Sequence, residues 1–410
     1  MKKNLLLSLV ALVALTTGVY AQPANTPQKK DSASFVFTTV KELPITSVKD
    51  QYRSGTCWDF STLSYLESEV LRIKGNKADS NICLSPMFVV WKNYSEKATK
   101  YIRMDGTINF AGGGSSMDVV HCIKDYGIVP NCEMPSKNFG ELGPVHGELD
   151  AVLKAYVNAL KSDPNGKLSP VWHNGFDAIL DVYLGKCPEK FTYEGVEYTP
   201  KSYAESLGLD LDDYVSITSF GHHPWYSQFQ IEVPDNWRWD YSYNVPIDDI
   251  VKILYNAIDK GYTVAWAADV SEIGFTRYGL ARVPDEDSVK KEMSDSDMAH
   301  WLGLPRTARN AEMQKKMENP SVPEKFYTDA MRLKEFNNKQ TTDDHGLHLF
   351  GTAVDQHGNK YFLVKNSWGK TGNYKGIWYV SENYVRAKTM DILVNKEAIP
   401  KDIRKKLGIK

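Results

Sequence analysis

Cys57, His345, Asn366 and Gln51 are the residues whose types and neighbours could together carry nucleophilic chemistry. Cys57 follows Ser54-Gly55-Thr56, and after it Phe60, Leu63, Leu66, Val70 and Ile73 recur at spacings of three and four. That is the period of a helix with one apolar face. The thiol therefore stands at a helix start, where unpaired N–H groups carry partial positive charge. Such a position is expected to lower a thiol's pKa and give a nucleophilic thiolate. Gln51 lies far enough upstream for a turn at Gly55 to bring its amide beside the Cys57 N–H, and the two could form an oxyanion hole. A lone cysteine at a helix start is more commonly a packing residue, so the reading requires a base elsewhere in the chain.

His345 supplies one. Asp344 to Val354 reads as a buried strand, His357-Gly358-Asn359 as a turn and Lys360 to Lys365 as the returning strand. A hairpin of this register brings His345, at the start of one strand, near Asn366, just past the end of the other. The imidazole would take the thiol proton while the Asn366 carbonyl holds its other nitrogen. Trp368 would cover that hydrogen bond from water. His348 is the rival base, but three residues along a strand it faces the opposite side. That divergence also makes His345 and His348 a poor zinc pair, and His357 in the turn reads as solvated.

These residues need elements to hold them. Ser85-Pro86 reads as the capped start of a helix. Gly112-Gly113-Gly114 precedes another helix over Met117 to Asp125, closed by Gly127. Without a Gly-Lys-Ser/Thr the glycines are no phosphate loop. Gly113 and Gly114 instead read as a wall along which a peptide backbone could run. Glu148 to Lys161 and Ile247 to Lys260 are helical by period, and Tyr262 to Ala268 is a strand by composition. Residues 284 to 320 read as a surface helical insertion. His222-His223 lacks a ligand cluster at metal spacing, so neither a metal nor another cofactor is expected.

The chain has 410 residues, 42% of them hydrophobic and 24% charged, with a formal net charge of −2. That balance suits a large globular core and argues against a nucleic-acid partner. Residues 1–21 have the pattern of a secretory signal peptide: Lys2 and Lys3, an apolar run, then Val19-Tyr20-Ala21. Residues 22–33 read as a flexible leader. The expected location is exported, periplasmic or secreted, with no membrane association after signal cleavage. Cys83, Cys122, Cys132 and Cys187 could form two disulfides or remain free thiols.

Read together, Gln51-x5-Cys57-Trp58-x-Phe60-Ser61, His345-Gly346-Leu347 and Asn366-Ser367-Trp368-Gly369 resemble the motifs of papain-like cysteine peptidases, in that family's order. Ser54-Gly55-Thr56-Cys57-Trp58, Tyr126-Gly127-Ile128-Val129-Pro130, Asp235-Asn236-Trp237 and Ile399-Pro400-Lys401-Asp402 are similar to the bleomycin hydrolase/aminopeptidase C branch. The resemblance implies an α+β, two-domain papain-like fold. A helical left part (34–140) would carry Cys57. A helical insertion and the first right-domain strands (141–320) would follow, then a β-rich right part (321–410) with His345 and Asn366. It implies peptide substrates, an aminopeptidase activity and, since members commonly form hexameric rings, a homo-hexamer. The alternatives are an exported endopeptidase and a catalytically weak binding protein. Two departures motivate them: Asp59 in the first turn after Cys57, and a C-terminal tail, ending at Lys410, shorter than the one that usually blocks part of this branch's cleft.

Overall fold

The computed structural model describes residues 34–75, 82–162, 166–291 and 293–410; the expected signal peptide and leader lie outside them. The first half is helical: α1 (Cys57–Ile73), α2 (Pro86–Arg103), α3 (Ser116–Tyr126), α4 (Gly147–Lys161), α5 (Trp172–Leu184) and α6 (Pro200–Ser206). Before and among them lie β1 (Thr38–Glu42) and the small hairpin β2 (Phe191–Tyr193) and β3 (Val196–Tyr198). The second half supplies β4 (Tyr214–Thr218), β5 (Gln228–Gln230), β6 (Tyr241–Asn244), α7 (Ile247–Lys260), β7 (Val264–Ala268) and β8 (Leu280–Ala281). Three helices follow over the expected insertion: α8 (Glu286–Lys291), α9 (Asp295–Gly303) and α10 (Arg306–Met317). The chain then runs through α11 (Asp329–Asn337), β9 (His345–Val354), β10 (Lys360–Lys365), β11 (Ile377–Ser381), α12 (Glu382–Lys388), β12 (Thr389–Asn395) and α13 (Lys401–Leu407). Among the described residues no helix is long and apolar enough to cross a membrane.

All the strands but β2 and β3 form one mixed sheet in the order β5-β6-β4-β12-β7-β9-β10-β11-β8, with β1 added to β9. Most neighbours are antiparallel; β4–β6 and β8–β11 are parallel. Two main cores result. One lies among α1 to α6, with Leu66, Phe88 and Val119 at its centre. The other lies between the sheet and α7, α12 and α13, around Ile253, Trp266, Leu347 and Trp378. The split follows from patterning. Helix α7 buries Ile250, Ile253, Leu254, Ala257 and Ile258 and stops at Gly261, whose positive φ of 89° suits glycine.

α1 is the exception to one-faced burial: every residue from Trp58 to Leu71 is buried. It packs on β9 and β7 on one side and on α2 and α3 on the other. Gly346 makes this approach achievable, because a Cβ there would lie 2.5 Å from Ser61 Oγ and 3.1 Å from the Cys57 carbonyl oxygen. The start of α1 is thereby pressed against the start of β9.

Candidate active site

Cys57 is the first residue of α1, and its backbone N–H has no carbonyl one turn back to bind. Its sulfur lies 3.8 Å from the Asp344 carbonyl oxygen, and the backbone N–H groups of Gly346 and Trp58 donate to it. The sulfur therefore touches the residues on both sides of His345. In the ring of His345, Nε2 lies 2.7 Å from Asn366 Oδ1. That same Oδ1 accepts from the Ser367 N–H at 2.7 Å, which fixes the amide's orientation and makes Nε2 the protonated nitrogen. Nδ1 is left as the proton acceptor. The Trp368 ring covers the imidazole with centroids 4.7 Å apart.

Gln51 reaches the site through a contact that the sequence did not suggest. Its N–H donates to the Ser367 carbonyl at 2.8 Å, and its Oε1 accepts from Ser367 Oγ at 2.6 Å. Orienting the oxygen leaves Nε2 as the free donor on the cavity side. Ser367 thus orients both Gln51 and Asn366. The hairpin expectation holds: β9 pairs with β10, Val354 opposite Lys360 and His348 opposite Lys365, so His345 and Asn366 meet at its open end. His348, on the other face, sits against α1 with Nδ1 2.8 Å from Ser64 Oγ. It is fully buried and lines no cavity near Cys57.

Gln51, Cys57, Trp58, His345, Gly113 and Gly114 border one cavity of about 340 Å³. The glycines line it, but the space above them differs from expectation. A Cβ on Gly113 would strike the Asp235 carboxylate, and one on Gly114 would lie 2.9 Å from Asp118 and from the Trp58 ring. Their missing side chains make room for the protein's own groups. The wall is held by Trp58 Nε1 donating to the Gly112 carbonyl at 3.0 Å and by Lys97 Nζ donating to those of Ala111 and Gly113 at 2.9 and 2.6 Å.

The electrostatics set burial against the helix terminus. Burial pushes the Cys57 thiol up to about 11; the Gly346 and Trp58 N–H groups pull it down, while Asp343 and Asp235 raise it further. Burial likewise lowers His345 to about 4, against the favourable bond to Asn366. Burial thus works against charge on both the thiol and the imidazole and opposes the helix terminus. Asp59 is fully buried, and its carboxyl has no hydrogen-bond partner among the described residues. Burial lifts it well above the usual carboxylate range, which disfavours its charged form. All five cysteines are free thiols.

His222, His223 and Glu232 lie together, with each imidazole Nε2 about 3 Å from a Glu232 oxygen. Folding thus supplies the acidic neighbour that the spacing around His222-His223 did not show, which corrects the expectation that no ligand cluster accompanies them. The C-terminal helix α13 buries Ile403 and Leu407 in the second core, and no residue after Asp391 lines the cavity.

Residues 323–409, which include His345 and Asn366, match the model of the Peptidase C1-like family. The chain is 22% identical over 410 residues to aminopeptidase G of Lactobacillus delbrueckii subsp. lactis, covering 90% of this chain and 84% of that one. It is 24% identical over 392 residues to aminopeptidase C of Lactococcus lactis subsp. cremoris, covering 87% and 82%. Its fold is similar to the crystal structure of PepW from Lactobacillus rhamnosis HN001, with a TM-score of 0.66 and 18% identity over 90% of this chain and 84% of that one. By these likenesses the chain is similar to papain-like cysteine peptidases, and among them to the bleomycin hydrolase/aminopeptidase C branch.

Proposed function

We propose that this cysteine peptidase is an aminopeptidase that works through a thioester acyl-enzyme. The observation that carries this reading is the contact of the Cys57 sulfur with the backbone on both sides of His345, whose Nε2 is bound by Asn366. As Cys57 Sγ attacks the peptide carbonyl carbon, its proton passes to His345 Nδ1. The two charges arise together and side by side, so the buried site never holds one alone. The oxyanion is held by Gln51 Nε2 and the Cys57 N–H. His345 then gives its proton to the leaving amine, and the C–N bond breaks to leave the thioester. Water, deprotonated by His345, adds to the thioester, and the acid departs as the sulfur regains its proton.

The similarity to aminopeptidases G and C favours removal of N-terminal residues. The pattern of residues 1–21 supports an exported enzyme. The burial of Asp59, which disfavours its charged form, weakens the case for an inactive binding protein on this fold. Replacement of Cys57 tests the reading: Cys57→Ser is expected to abolish hydrolysis of aminoacyl-aminomethylcoumarin substrates and irreversible labelling by an epoxide inhibitor. Retention of either by the folded variant would remove Cys57 from the role.

A further inference from the structure

The cavity beside Cys57 is lined by Asp235, Asp240, Asp343, Asp344 and Asp391, and by no Lys or Arg among the described residues. These carboxylates differ in how they are held. Asp344 accepts from Thr342 Oγ1 and from the Val270 and Ser271 N–H groups. Asp240 accepts from His121. Asp235 accepts from Asn109 at 3.0 Å and has Lys97 behind the glycine wall. Asp391 has the Ser216 hydroxyl at 2.8 Å. Among the described residues Asp343 has no hydrogen bond or ion pair, and the charged groups acting on it are Asp235, Asp391 and Asp344. Three separate segments of the chain thus bring carboxylates to one recess.

A half-buried carboxyl with no partner among the described residues, set among like charges, costs stability. It also opposes catalysis, since Asp343 and Asp235 both act against a negative charge on Cys57. Both penalties vanish if something positive occupies the recess. We infer that Asp343, with Asp391 and Asp235 around it, binds a cationic group of the substrate next to the bond that Cys57 attacks. This deepens the aminopeptidase reading and rests on it. The chemistry is recognition of an ammonium or guanidinium group, which a peptide offers either as its free N-terminus or as a Lys or Arg side chain. A group bound there neutralises the field that resists sulfur ionisation, so the right substrate helps to activate its own nucleophile.

The experiment compares kcat/KM for Leu-Leu-aminomethylcoumarin with a free amino terminus, its acetylated form, and acetylated forms with Lys or Arg in place of either Leu. Wild-type enzyme is expected to favour cationic substrates over the acetylated Leu-Leu form by about 10- to 100-fold, the range for a hydrogen bond to a charged group. Preference confined to the free amino terminus assigns the recess to the α-ammonium; preference among blocked peptides for Lys or Arg assigns it to a side chain. Asp343→Asn is expected to erase most of the preference, Asp343→Glu to keep it, and Asp343→Lys to turn it toward blocked substrates carrying Glu. Asp391→Asn serves as a second probe should the first variants fold poorly, and should shrink the preference less. Equal cleavage of all substrates by the wild type, or an undiminished preference in Asp343→Asn, overturns the inference and leaves the peptidase reading intact. Cleavage of none of them, with Cys57 still labelled by iodoacetamide, overturns the peptidase reading and this inference with it.

Discussion

The two ends of the cavity are built on opposite principles. At the sulfur end the orienting atoms are held: Gln51 Oε1 by Ser367, His345 Nε2 by Asn366, Asn366 Oδ1 by the Ser367 N–H as well. At the acid end, among the described residues, Asp343 has no hydrogen-bond partner and Asp391 has a single hydroxyl. Groups that must be aimed before substrate arrives are given partners inside the protein. Groups that must meet an incoming charge are left without them. The held end gains orientation, and the bare end carries the stability penalty of unpaired burial.

Removing the aimed donor should have the largest effect. Gln51→Ala is expected to lower kcat by about 100- to 1,000-fold, the usual cost of losing one oxyanion donor, with a much smaller change in KM. Steady-state kinetics decide, and a rate within a few-fold of wild type would break the held end of the comparison. Loosening the base should cost less. Asn366→Ala frees the His345 ring, and an orienting partner of this kind is typically worth about 10- to 100-fold; kcat/KM measures it. The smallest effect belongs to the bare end and concerns stability. Burial lifts Asp391 to about 6 from 3.8. Between those values the folded chain keeps a proton that the unfolded chain has lost, so stability falls as pH rises through the window and the deficit persists above it. Asp391→Asn should therefore raise the melting temperature at pH 7.5 by a few degrees, with the gain fading at or below pH 4. Thermal melts across pH test this, and a variant less stable at pH 7.5 would show that the acid is structurally supported after all.

How much of this was legible in the sequence differs by element. Helix α7 was readable to both its ends, because its period and Gly261 are local signals. The hairpin was readable too, since strand, turn and strand are consecutive, and with it the meeting of His345 and Asn366. The assignment of His348 to the opposite face followed from the alternation of a strand and holds. Strand β1 was not legible: its residues are mostly exposed, and only pairing with β9, far along the chain, makes it a strand. Ser367 as the common support of Gln51 and Asn366 also depends on a distant pairing. The acid recess was invisible for the same reason, because Asp235, Asp343 and Asp391 share no spacing or motif. The helix-terminus argument for Cys57 was incomplete. It weighed a favourable local field and could not see the desolvation that tertiary packing imposes.

The close approach at Gly346 has one more consequence. Nucleophile and base come from opposite ends of the chain, yet they are set by a single point where the glycine backbone rests on the Ser61 hydroxyl and on the backbone of Cys57 and Trp58, with no side chain of its own to absorb error. The site therefore has no half-assembled form: neither the helical half nor the sheet half carries a usable fragment of it. Its registration is a property of the finished tertiary structure, which makes this glycine a gauge of whether folding has been completed.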